Sequence, residues 1–352
     1  IPAESKKLGI PTLFTIHNFH TQEATLAQPE NTGIPAGDFW DELYFGSYPE
    51  SFDESYWANP IDLLASGISA ATHTNVVSPT FLDEVAMGHH PTIPPHLSHL
   101  LYHKREAGVA SGIVNAPDRS FNPQIDPYLP EEYGPRRHHT IKPKLKKDLQ
   151  KRLLLKEDPS VPILFWPSRL DPIQKGCSLL ADILFQLIND YNHLGLQIVM
   201  IADGPYQQHF QGIVAHHGIS DRIAVQPFSE SLSHLGYGGS DFVLMPSSFE
   251  PCGLPQMIGC RYGSLPIAHA TGGLKDTVRH LNIHENTGNG FLFEHFTTDG
   301  FRWAIDQAME FYQLSPDHKN PQIKRIMEQS KEDFSDERVV ADYQKIYNDL
   351  VN

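Results

Sequence analysis

At 352 residues the chain exceeds what one ordinary hydrophobic core organises and suits two domains. Its 27 Lys+Arg against 42 Asp+Glu leave a net charge of −15 with no dense basic stripe, which excludes nucleic acid as a partner and favours a neutral, polyhydroxylated one. No apolar run approaches the roughly 20 residues of a spanning helix, so a membrane is not an expected partner either.

Cysteine usage points to a compartment. Cys177, Cys252 and Cys260 are odd in number, sparse and without metal-ligand spacing, which predicts a reducing cytoplasm, or a plastid for a plant or algal chain. No signal-peptide pattern follows Ile1. Residues 1–9 run straight into a strand-like segment, 11–16, so the expectation is a chain cut inside its first domain.

In chain order, short apolar β-rich runs alternate with longer helical patterns, the signature of an α/β chain whose parallel sheets are covered by helices. Strands are predicted at Leu13–Ile16, 74–77 and 112–114 in the first half. Residues 116–143 are rich in proline and charge with little periodicity, which places a domain junction near residues 143–162. Within residues 142–156 a basic run carries Leu145, Leu149 and Leu153 at amphipathic spacing, and a solvated surface helix is expected. The second half predicts strands at Ile163–Trp166, 196–201, 223–225, Phe242–Met245 and Leu265–His269. Helices fall between them at 179–187, 230–237 and Pro255–Tyr262, the last with Pro in its first turn. Two sheets imply a cleft. Finally Val339, Val340, Tyr343, Ile346, Tyr347 and Leu350 form a helical apolar stripe that needs a surface to pack on.

The chemistry concentrates at strand ends. Glu250 lies just past the strand Phe242–Met245, where open α/β sheets place their ligands, although an exposed carboxylate or a helix cap is the plainer interpretation. Phe249, Pro251, Cys252, Gly253 and Leu254 around it are poor company for a solvated loop. Cys252 reads as a space-filler, since no neighbouring cation or His is evident to lower its pKa. Thr271, Gly272 and Gly273 precede a helical pattern at 274–280, so free backbone N–H groups are expected to face an anion, unless the glycines are a plain turn.

Arg169 and Lys175 occupy the loop after Ile163–Trp166. Together they form a candidate clamp for a diphosphate, Arg through its planar fork and Lys as a compact charge, against the plain alternative of two solvated cations. His17 follows the first strand and Asn115 the third. A structural hydrogen-bonder and a turn former are their ordinary roles. No Asp-x-Asp pair exists to bring a divalent cation to a nucleotide, so a metal-free site is expected.

Five stretches together resemble the family of bacterial glycogen synthases and plant starch synthases: FTIHN at 14–18, VVSPTFLDEV at 76–85, GIVNAPD at 112–118, SRLDPIQKG at 168–176 and SSFEPCGLPQMIGCRYGSLPIAHATGGLKDTV at 247–278. They come in family order across nearly the whole chain. The resemblance implies a GT-B fold, two Rossmann-like domains facing across a cleft. It puts residues 1–157 in an acceptor-side domain incomplete at its start, 158–334 in a nucleotide-sugar-binding domain, and 335–352 in a helix crossing back to the first.

It also implies retaining, cofactor-free transfer of glucose from ADP-glucose, or less often UDP-glucose, to the non-reducing end of an α-1,4-glucan such as glycogen, starch or a maltooligosaccharide. By matching position Arg169 and Lys175 hold the leaving diphosphate, Glu250 is the acid close to the glucose, and His17 contacts the sugar. Amides around Cys252, Gly253, Leu254, Thr271, Gly272 and Gly273 hold hydroxyls and phosphate, and Asn115 lines the acceptor side.

The chain departs from the family at four places. The family's Lys-x-Gly-Gly-Leu loop is absent, Arg169 and Lys175 are six positions apart where the family has five, and Asn115-Ala116-Pro117-Asp118 replaces Asn-Gly-Ile-Asp. Phe228 stands where relatives often carry a Tyr near the adenine. A non-catalytic glucan-binding or regulatory relative, and another GT-B sugar-nucleotide enzyme, are the alternatives.

Overall fold

Three parallel strands, β1 (Leu13–Ile16), β4 (His73–Val76) and β5 (Ala110–Gly112), pair in the order β1-β4-β5, with a small antiparallel pair, β2 (Glu23–Ala24) and β3 (Ile61–Asp62), beside them in sequence. The strands expected at 74–77 and 112–114 are present, displaced toward the N-terminus by one and two residues. Gly112 ends β5 for a steric reason: a Cβ there would fall on the backbone of Ser78 and Pro79. Asp62 and Ser78 start the next helices as N-caps, accepting from the Ala65 N–H at 2.8 Å and the Phe81 N–H at 3.0 Å. This computed structural model describes residues 1–351, and these strands belong to one compact unit, Ile1–Asn115 with the chain from Val339 onward.

The helix Asp336–Val351 enters this unit with the predicted stripe. The Tyr343 hydroxyl accepts from Asn75 Nδ2 at 3.1 Å in β4, and Ile346 is buried, whereas Val340 and Tyr347 stay exposed.

The other unit, Ala116–Arg338, is built on a six-stranded parallel sheet. Its strands are β6 (Ile163–Trp166), β7 (Gln197–Ile201), β8 (Ile223–Gln226), β9 (Phe242–Met245), β10 (Leu265–His269) and β11 (Phe291–Phe293), in the order β11-β10-β9-β6-β7-β8. Every residue of β6, β7, β9 and β10 is buried, as expected of strands covered on both faces. Chain order runs outward from β6 through β7 to β8, then returns to β9 and runs outward the other way. The switch point therefore lies between β6 and β9, and Leu164 pairs with Phe242 across it. The helices Cys177–Asp190, Glu230–Gly239 and Pro255–Tyr262 cover the sheet where the sequence predicts them.

Residues 116–157 group with this second unit, because the proline-rich segment is anchored there. Asp126 accepts from the Tyr262 hydroxyl and bonds His234 Nδ1 at 2.8 Å, and the Tyr133 hydroxyl donates to the Tyr262 carbonyl at 2.7 Å. The helix His138–Arg152 overturns the expectation of a solvated surface helix. Lys142 and Lys146 are buried on it beside Leu145 and Leu149. Lys142 Nζ donates to the carbonyls of Tyr237, Gly238 and Tyr262 and to Ser264 Oγ, and Lys146 Nζ reaches Asp241 at 2.6 Å. Periodicity shows which face of a helix is apolar. It does not show that lysines flanking that face find oxygen partners inside.

Candidate functional site

The loops that follow β6 and β9 meet at the switch point and are tied to each other before any ligand arrives. After β6, Asp171 Oδ1 accepts from the N–H groups of Ile173 and Gln174 at 2.9 and 2.8 Å, an Asx turn that orders the loop. The Ser248 N–H donates to the Gln174 carbonyl at 2.8 Å, and Gln174 Nε2 to the Phe249 carbonyl at 3.4 Å. Gly176 is left-handed at φ 70°, and a Cβ on it would strike the Pro246 carbonyl.

Inside that junction Lys175 Nζ donates to Glu250 Oε2 at 2.5 Å, and Ser247 Oγ donates to the same oxygen at 3.1 Å. Both members of the ion pair are buried, at 9% and 6% relative exposure. Such a pair repays its desolvation only with good geometry and added hydrogen bonds, and Ser247 supplies one. Ser247 is itself held, its carbonyl bonded to His269 Nδ1 at 2.8 Å from the end of β10. Arg169 is exposed, six residues before Lys175, with its guanidinium 3.4 Å from Gln174 Oε1. The extra residue in this loop is thus accommodated without separating Lys175 from Glu250.

The glycine turn after β10 departs from expectation. Its helix is Gly272–Thr277, shorter than the predicted 274–280 pattern, and the Gly273 N–H is not free for an anion because it donates to the Glu250 carbonyl at 2.9 Å. Gly273 is glycine because a Cβ would land on the Cys252 backbone. Its role is to let the turn close against the Glu250 loop. Gln256 fastens the other side, its Nε2 donating to the carbonyls of Cys252 and Gly253 at 3.2 and 2.9 Å and to Thr277 Oγ1 at 3.0 Å. Gly253 has φ 72° and Leu254 is exposed at the rim.

Cys252 is buried in that loop, as a space-filler would be. Burial pushes the Cys177 and Cys260 thiols up to about 12, and none of the three cysteines forms a disulfide. Phe228 is exposed on the loop after β8, and its N–H donates to Asp203 Oδ1 at 3.1 Å. The Asp203 carbonyl in turn accepts from the Leu170 N–H at 2.9 Å, so Phe228 and the Arg169 loop share one anchor. Ser247, Gln256 and Asp203 were not singled out from sequence. Asp203 had a usable signal, a lone acid two residues beyond the buried run 196–201.

His17 and Asn115 lie in the other unit, each just past the carboxyl end of its strand, β1 and β5; His17 is exposed and Asn115 half-buried. Among the described residues no group of three or more His, Cys, Asp or Glu side chains could hold a metal ion, and no helix is long and apolar enough to cross a membrane.

Known proteins match both units. Residues 147–324 match the family model of glycosyl transferases group 1, and residues 2–93 match that of the starch synthase catalytic domain. Glycogen synthase of Desulforamulus reducens is 31% identical over 348 residues, covering 97% of this chain and 67% of that protein. Glycogen synthase 2 of Methylococcus capsulatus is 34% identical over 352 residues, with 95% and 66% covered. The chain thus spans about two thirds of the length of these relatives. Among solved structures, the catalytic domain of starch synthase IV from Arabidopsis thaliana, bound to ADP and acarbose, superposes with a TM-score of 0.80 at 27% identity over 98% of this chain and 68% of that one.

Proposed function

We propose, because this chain belongs to the glycogen synthase and starch synthase family of GT-B glycosyltransferases, that it serves retaining transfer of glucose from ADP-glucose to the non-reducing end of an α-1,4-glucan. The observation that carries the proposal is the buried Lys175–Glu250 pair at the sheet's switch point. Lys175 spends one ammonium hydrogen on Glu250 and has others to offer a phosphate oxygen. Arg169, exposed on the same loop, adds a planar fork for the diphosphate.

As the bond between the anomeric carbon and the diphosphate oxygen breaks, Lys175 and Arg169 stabilise the charge that accumulates on the leaving group. Glu250, held on one oxygen by Lys175 and Ser247, sets its negative charge near the developing oxocarbenium ion. Retention then follows from attack by the glucan hydroxyl on the face the diphosphate leaves. Cys252, Gly253 and Leu254 and the turn at Thr271 and Gly272 contact the glucose and phosphates, and Phe228 lies by the base.

ADP is chosen over UDP because the starch synthase IV relative binds ADP. The absence of an Asp-x-Asp pair supports charge neutralisation by these side chains and amides without a metal or other cofactor. We place the protein in the cytoplasm on its three buried cysteines, none of them in a disulfide. The test is glucose transfer from ADP-glucose and UDP-glucose to glycogen by the protein and by its Glu250→Ala and Lys175→Ala variants. Turnover undiminished in either variant overturns that residue's role, and faster transfer from UDP-glucose overturns the choice of donor.

A further inference from the structure

The amino-terminal edge of the six-stranded sheet, opposite the ends that carry Glu250, holds a cavity apart from the proposed transfer site. It measures about 560 Å³ and is walled by Lys142, Lys146, Lys319, Tyr312 and the start of β9 at Asp241 and Phe242. It shares His138, His139, Pro316 and Asn320 with an outer depression of about 430 Å³ that adds Arg136 and Lys324. The two together present five lysines and arginines against two carboxylates, Asp241 and Asp317, in a chain whose net charge is −15.

Carboxylates neutralise this cluster only in part, with Lys324 facing Glu328 at 3.9 Å on its own helix. Asp241 is consumed by Lys146 at 2.6 Å and by the Ile163 N–H at 2.9 Å. Lys142 hydrogen-bonds only to neutral oxygens and makes no ion pair among the described residues, although Asp241 lies in the same wall. Lys319 makes one hydrogen bond, to the Tyr312 carbonyl at 2.7 Å, with its ammonium 4.3 Å from the centre of the Tyr312 ring. Arg136 is exposed and makes no ion pair among the described residues. Burial pushes Lys142 down to about 7 and lowers Lys319, with Asp241 opposing and Lys146 adding to both shifts.

We propose that the cavity and the depression that shares its rim together bind a small phosphorylated organic anion, its phosphate drawn to Lys319 of the one and Arg136 of the other and its carbon skeleton laid against Tyr312 and Ile323. Cations in a concave, partly apolar wall focus a positive potential, and the volume lies in the range of ligand pockets, roughly 300–1,000 Å³. The inference stands apart from the transfer reaction, since none of its residues borders the Lys175–Glu250 junction.

The experiment is calorimetric titration of phenyl phosphate and of inorganic phosphate into the Lys175→Ala, Arg169→Ala protein, where both cations of the proposed diphosphate clamp are removed. One saturable site is expected, at least tenfold tighter for phenyl phosphate. Lys319→Gln and Arg136→Gln, each added to that background, are expected to weaken it at least tenfold. No saturable site, or affinity unchanged by either substitution in a folded protein, overturns the proposal. Equal affinity for the two probes overturns its organic part. Arg136 is exposed, so its variant decides the matter even where Lys319→Gln fails to fold.

Discussion

Lys175 Nζ and Glu250 Oε2 stand 2.5 Å apart, joining the loop after β6 to the loop after β9 across the point where the sheet reverses its strand order. Each side chain leaves the other buried and unpaired when removed. Lys175→Met and Glu250→Gln are therefore expected to destabilise the fold singly by more than their combination suggests, with a coupling of about 1 kcal/mol or more in denaturant titrations. Additive losses would mean that the pair is not an energetic unit.

The same residues carry the kinetic prediction. Lys175→Ala is expected to lower kcat by about 10²–10³-fold, the usual loss when one preorganised group facing developing charge is removed. The measurement is initial-rate transfer to glycogen. A change in KM alone would assign Lys175 to binding.

Neighbouring lysines on one helix should behave oppositely. Lys146 is buried against Asp241, whereas Lys147 is exposed and 3.9 Å from Glu157. Lys146→Met is expected to cost about 3–5 kcal/mol by stranding Asp241, and Lys147→Met about 0–1 kcal/mol. Equal midpoints in urea would return this helix to the surface.

Gly273→Ala tests the closure of the glycine turn on the Glu250 loop. The added methyl would collide with the Cys252 backbone and push the Gly273 N–H off the Glu250 carbonyl. Reduced ADP-glucose turnover together with a lowered thermal midpoint is expected, because the backbone that must shift is buried at both Gly273 and Cys252. Full turnover would show that the turn does not position Glu250.

His138 gives the fold a pH dependence of known sign. Burial first, then Lys142 and His139, lower its pKa from 6.5 to about 4, so between those values the unfolded chain binds a proton that the folded chain does not. Stability should rise as pH climbs from 4 to 6.5 and be lost as it falls, by up to about 3 kcal/mol from this group. His138→Gln is expected to flatten that part of the profile. An unchanged slope would move the effect elsewhere.

The central strands of the second unit were legible because both faces are buried, so each reads as a continuous apolar run between turn residues. The first unit's strands are shorter and less buried, and two of them slipped by one or two residues. Glu250, Lys175 and Arg169 were legible because strand ends are where such sheets hold ligands, a regularity of topology that needs no coordinates. Ser247 and Gln256 were not, since a serine and a glutamine carry no signal until folding shows which atoms face them.

Alternation of elements, the residues at strand ends and the family motifs are properties of local sequence, and they sufficed for an α/β chain with a candidate sugar-nucleotide site. Which amides stay available and which lysines lie inside depends on partners far along the chain. The Gly273 N–H is taken by Glu250, and Lys142 finds its oxygens at Tyr237, Gly238, Tyr262 and Ser264. Hydrogen bonding and desolvation are settled between residues that only the tertiary structure brings together, and for that reason a helix read as solvated proved to carry buried charge.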